Sequence, residues 1–195
     1  MKITRSLLLL LAVGLGLCAH AANVSTTVET NSAPAEKFSD FNYFEMAKIA
    51  MVAPYAGQAA NEKALLKIQE NVSLKANPML KKWNEAGAEI TPIRTLVITP
   101  VITEIKFISG GVRFWAGGLA GNSGMILFAR FIDKKIGKEV AIPMFFARAS
   151  SLGGTWTIGA TDNLMLTRVA TRFTDYLEAN YRDAVGGPTG VDVKK

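Results

Sequence analysis

The sequence predicts an α+β fold: a single domain with a small sheet, mostly antiparallel or mixed, packed by amphipathic helices on one face. Three observations predict it. Residues 125–132 and 140–148 alternate as two strands joined by a turn at 133–137. Residues 95–108 make the longest β-patterned run of the chain. Apolar residues recur at helical spacing before and after these strands, in 59–75 and 166–177. The order strand, helices, strand, hairpin, helix suits helices segregated to one face of a sheet.

The first residues read as a secretory signal. Lys2 and Arg5 form its basic end, 7–17 its uncharged apolar stretch, and Ala19-His20-Ala21 its small-x-small cleavage site. The apolar stretch is short of the roughly 20 residues that span a bilayer. Cleavage after Ala21 removes 21 of 195 residues and leaves 174, the size of one domain. Cys18 offers the alternative of a lipid anchor on the outer membrane. A lipoprotein signal wants a small residue before that cysteine, and Leu17 stands there. The expectation is therefore a free periplasmic protein.

Loss of the signal removes His20 and Cys18, the single histidine and cysteine. Disulfides, Cys- or His-ligated zinc and histidine- or cysteine-based nucleophilic catalysis are then excluded, and no metal or cofactor is expected. The net charge falls from +6 to +4 once Lys2 and Arg5 go. No run of Lys or Arg accompanies it, so no nucleic-acid partner is expected.

Residues 22–37 are Ser/Thr-rich and aperiodic and read as a flexible leader, with the domain at 38–185. Residues 38–44 are aromatic enough to dock on the body, and 48–53 read as a short strand ended by Pro54. Leu65, Ile68 and Val72 give the first helix one apolar face. Asn77-Pro78 should interrupt it, with Pro78 opening a second short helix that buries Met79, Leu80 and Trp83 and stops at Gly87. Pro100 cannot donate to a ladder, which calls for a bulge or a free edge within 95–108. In the hairpin turn, Asp133 can accept backbone amides and Gly137 can take positive φ. The strand at 125–132 is apolar on both faces and needs cover on both: helices, another sheet or a partner. Thr161 or Asp162 can cap the last helix. Gly186-Gly187-Pro188 closes it, and 186–195 read as a disordered tail.

The glycines of 117–124 lead into a strand and lack a Gly-Lys-Ser/Thr ending, so no nucleotide is expected. The uncharged run between Arg113 and Arg130 is 16 residues, too short to span a membrane. A glycine corner that lets the backbone pack closely is the simpler reading. Candidate partner-binding residues are Arg113, Trp115, Gly117, Gly121 and Trp156, because Arg and Trp are enriched in interface hot spots. Trp115 in the core and Arg113 on a carboxylate such as Glu104 is the competing assignment. Glu104 and Asp133 are the one carboxylate pair to consider for glycosidase-type chemistry. Nothing in the spacing brings them together.

Arg113, the corner at Gly117 and Gly121, Asp133 and Gly137 around the turn, and Gly153-Gly154 before the last helix form a recurring set. In this the chain resembles, over 48–181, an uncharacterised "domain of unknown function" family of small bacterial envelope proteins, many of them lipoproteins. The resemblance implies a Gram-negative envelope location and no known activity; the Leu17-Cys18 junction departs from the lipoprotein pattern. The expected function is a non-enzymatic accessory or protein-interaction module, periplasmic or associated with the outer membrane. A lipid- or cell-wall-glycan-binding module using Trp115, Trp156 and the glycine corner is the alternative, and a carboxylate-based hydrolase comes third.

Overall fold

The structure, a computed structural model, describes residues 28–107, 123–149 and 160–191. The elements run β1 (Thr30–Asn31), a 3-10 turn (Phe38–Asp40), β2 (Tyr43–Met46), β3 (Ala50–Met51) and α1 (Ala59–Gly87). They continue with β4 (Thr95–Lys106), β5 (Gly124–Asp133), β6 (Glu139–Ala141), β7 (Met144–Arg148), α2 (Ala160–Arg182) and β8 (Gly187–Pro188). This is the α+β fold the pattern predicts, and its main sheet is mixed.

Two long strands, β4 and β5, pair antiparallel at the centre. Each is flanked by a broken edge. The short β2 and β3 both pair with β4, in parallel, and the short β6 and β7 both pair with β5, antiparallel. Periodicity does not report strand direction, so the parallel pairs were not legible beforehand.

Pro100 shows how the edge is arranged. The carbonyls of Ile98 and Ile102 accept from Ala47 and Val52, so even-numbered residues of β4 turn their backbone toward the β2/β3 side. Pro100 shares that parity and lies opposite the gap between Met46 and Ala50. The missing donor falls where the neighbouring strand is interrupted. The register shift lies further on, between Ile102 and Glu104.

α1 differs from expectation, being one helix through Pro78. Proline frees the carbonyl four residues back. That residue is Leu74, whose side chain is 69% exposed, so the orphan group lies on the solvent side where water can satisfy it. Ala76 and Leu80, on either side of the proline, keep the buried face continuous. Gly87 ends the helix as expected, for a different reason: a Cβ there would run into the carbonyl of Asn42.

The core lies between the helices and one sheet face. Ile98, Ile102, Leu127, Phe131 and Phe145 from the strands meet Ile68, Val72, Val169 and Phe173 from α1 and α2. Phe38 stacks on Phe131 with ring centroids 4.9 Å apart. Trp83 stacks on Tyr181 at 4.1 Å and tilts onto Phe44, tying α1, α2 and β2 together. The turn is as predicted, with Gly137 at φ +66° and Asp133 Oδ1 accepting the Lys135 amide.

The expected leader and tail are corrected in part. Thr30-Asn31 and Gly187-Pro188 pair antiparallel, so the folded body starts before Phe38 and continues past Val185. Asn31 and Thr189, both buried, supply the polar contacts that dock these ends, a role that composition alone does not reveal.

Candidate interaction surface

The lateral edges of the sheet are engaged by side chains and by the backbone of the two terminal segments. On the β2 side, Asn84 of α1 accepts from the Phe44 amide at 2.7 Å and donates to the Phe44 carbonyl at 3.1 Å. Gln69 of the same helix accepts the Ile49 amide at 2.7 Å. On the β7 side, Asn31 accepts the Met144 amide at 2.7 Å and donates to its carbonyl at 2.9 Å. The Phe146 amide bonds the Thr189 carbonyl, and the Phe146 carbonyl accepts from Arg172 at 2.8 Å. Ala35 donates to Val140 on β6. A primary amide presents an N–H donor and a C=O acceptor side by side in nearly peptide geometry, so asparagine can satisfy an edge residue as a strand would.

With the edges closed and the helices on one face, the opposite face of β4 and β5 is the broad surface that remains among the described residues. Alternation puts Val97, Thr99 and Val101 of β4 on it, opposite Ile132, Arg130 and Phe128 of β5. All but the exposed Arg130 are half-buried. Two ion pairs flank them, Lys134–Glu45 at 2.7 Å and Arg130–Glu139 at 3.5 Å. At the far end Ile126, Met144, Phe146 and Val191 form a small separate cluster that the C-terminal segment covers.

A polar cluster anchors one end of the sheet. Asp133, 2% exposed, accepts from Arg94 Nε at 2.9 Å. Arg94 also pairs with Glu36 at 2.7 Å and lies 4.2 Å over the Phe41 ring, while Lys138 reaches Glu36 at 3.1 Å. Asn42 fixes the approach to β4, accepting the Arg94 amide at 2.6 Å and donating to the Ile90 and Pro92 carbonyls. Burial pushes the Asp133 carboxyl up, but the Lys135 amide and the Arg94 guanidinium outweigh it and hold it below its ordinary value. Hydrogen bonds from Arg94 and Lys138 lower Glu36 as well. Burial raises Glu104. Local pattern marked Asp133 for the turn; its arginine, 39 residues away, gave no signal beyond standing just before an apolar strand.

Asp133 and Glu104 do not come together as a hydrolytic pair. Asp133 lies opposite Leu96, and Glu104 is eight positions further along the same strand, about 26 Å away at strand rise. A shallow cleft of about 430 Å³ between β2 and the second half of α1 is lined by Phe44, Met46, Leu80 and Asn84. Asn84 is engaged there by Phe44, and Lys81 and Glu85 face each other at 3.8 Å. No group of three or more His, Cys, Asp or Glu among the described residues could hold a metal ion. Arg113, Trp115, Gly117, Gly121, Trp156, Ala21 and Cys18 lie outside the described residues. Thr161 and Asp162 fall within α2, but their side chains are likewise outside the described set.

No family model and no curated protein matches this chain. Among solved structures it is similar to the PelC dodecamer from Paraburkholderia phytofirmans, with 14% identity over 76% of this chain and 96% of that one, TM-score 0.41. It is similar to XCC0632 from Xanthomonas campestris, of the DUF330 family model, with 15% identity over 78% and 90%, TM-score 0.39. It is also similar to a protein from Caulobacter crescentus described as a lipoprotein, with 16% identity over 68% and 89%, TM-score 0.31. These likenesses are distant, and no role is carried over from them. Among the described residues no helix is long and apolar enough to cross a membrane.

Proposed function

We propose that the protein is a non-catalytic interaction module of the bacterial envelope that engages a protein partner through the face of β4 and β5 that no helix among the described residues covers. The secretion-type first residues support the compartment. One observation carries the surface: helices cover one face, and side chains and the docked terminal segments engage both edges. Val97–Ile132 and Val101–Phe128 are left as apolar cross-strand pairs on either side of Thr99–Arg130, a composition that suits an interface centre. In-cell photocross-linking tests it. A benzophenone side chain at Thr99 is expected to capture a protein, whereas one at Glu178, on the exposed side of α2, is not. Equal capture at both positions, or none at Thr99, overturns the assignment.

A lipid contact is favoured by a separate observation. Leu66 and Leu74, 73% and 69% exposed, lie on the outer side of α1, where Lys63, Lys75 and Lys82 remain once Glu70 and Glu85 have paired with Lys67 and Lys81. Apolar residues within a basic helix face suit an anionic membrane surface. Co-sedimentation with vesicles containing anionic lipid, weakened in Leu66→Ser/Leu74→Ser, is the expected result. Equal pelleting of the two proteins sinks this second reading.

A further inference from the structure

We propose that the occupant of the uncovered sheet face is a second copy of this chain, packed face to face about a two-fold axis. The proposal rests on the reading of that face as the interaction surface and adds the identity of the partner. Charge is the first argument. Glu45 is matched by Lys134 and Arg130 by Glu139 within the face itself, so it presents no field of one sign for an acidic or basic partner to complement. A two-fold axis sets the same patch against itself, and self-matched charges can meet their copies without a like-charge excess. In that arrangement Arg130 can exchange Glu139 of its own chain for that of the other.

Shape is the second argument. Val97, Thr99 and Val101 make a row of β-branched side chains beside Phe128 and Ile132. Two such faces interdigitate at the usual separation of packed sheets, about 10 Å. Area limits the strength. About seven residues each of β4 and β5, with the four of β2 and the three of β6 beside them, at about 4.8 Å between strands and about 3.4 Å per residue, give a footprint of about 350 Å² per copy and about 700 Å² per pair. That is the size of weak, transient association, so the dimer is reversible.

Sedimentation velocity of the protein purified from the envelope, across about 1 to 100 µM, tests this directly. The expected result is a concentration-dependent shift from monomer to dimer. Thr99→Arg, which adds a like charge beside Arg130 in both copies, is expected to move the midpoint up by at least about tenfold. Val101→Glu should do the same. If Val101→Glu fails to melt cooperatively, Thr99→Arg decides. A monomer across the whole range overturns the proposal, as does a folded Thr99→Arg that dimerises like the parent. A monomer that still cross-links through position 99 to a different protein removes the second copy but keeps the interaction face. A monomer with no cross-link removes both.

Discussion

Replacing Arg94 by alanine strands a carboxylate. Asp133 is 2% exposed and takes its Arg94 bond at 2.9 Å, so the substitution leaves a buried negative charge with the Lys135 and Ile136 amides alone to stabilise it. Breaking a buried ion pair from one side costs about 3–5 kcal/mol. Arg94 is itself 31% exposed, and water entering its place will screen part of that loss, which brings the expectation to about 2–3 kcal/mol. Release of Glu36 and of the Phe41 ring face acts in the same direction. At about 2–4 °C per kcal/mol for a chain of this size, the melting temperature should fall by about 4–12 °C. Urea denaturation of Arg94→Ala, Asp133→Asn and the double variant gives the coupling. The double variant should lie well above the sum of the singles, because the neutral amide no longer needs a cation. The pH dependence has a definite sign. Both carboxyls are lowered in the fold, so their contribution is complete above their unfolded values near 4.5 and 3.8 and is lost as pH falls through the folded ones. The parent should lose stability steeply below about pH 4, and Arg94→Ala should lose less over that interval. A loss under about 0.5 kcal/mol at neutral pH, or identical acid profiles for the two proteins, would show that the cluster is a surface ornament.

Gly87→Ala should cost about 1–3 kcal/mol by forcing α1 off the Asn42 carbonyl, read as a lower urea midpoint at unchanged slope; an unchanged midpoint contradicts the close approach. Gly137→Val has open space around its side chain but sits at φ +66°, so backbone strain alone should cost about 1–3 kcal/mol by thermal melting. Asn84→Leu keeps the bulk and removes both bonds to Phe44; a loss of about 1–3 kcal/mol is expected, and faster amide exchange at Phe44 should accompany it.

Local chemistry was legible in the sequence, and geometry between distant residues was not. The hairpin turn followed from Asp133 and Gly137 because both act within five residues. The strand that runs apolar on two sides called for cover on both, and among the described residues no helix packs on the face with Phe128 and Ile132. The continuity of α1 could not be read, since tolerance of Pro78 depends on where the Leu74 carbonyl points. The docking of the two ends could not be read either: Asn31 finds Met144 across 113 residues, and nothing near Asn31 distinguishes it from a leader asparagine. For the same reason the Arg94 cluster was represented beforehand only by the turn role of Asp133.

The two edge asparagines bear on how this chain behaves at high concentration. In the language of polymerisation, Asn84 and Asn31 are chain stoppers: each offers one peptide-like unit to the ladder and carries no following unit to which another strand could add. Growth along the hydrogen-bond direction, the propagation step of fibrils, is thereby terminated at both ends of the sheet. Among the described residues, association normal to the sheet is left open on the side away from the helices. Edges closed in this way disfavour endless, ladder-extending assembly.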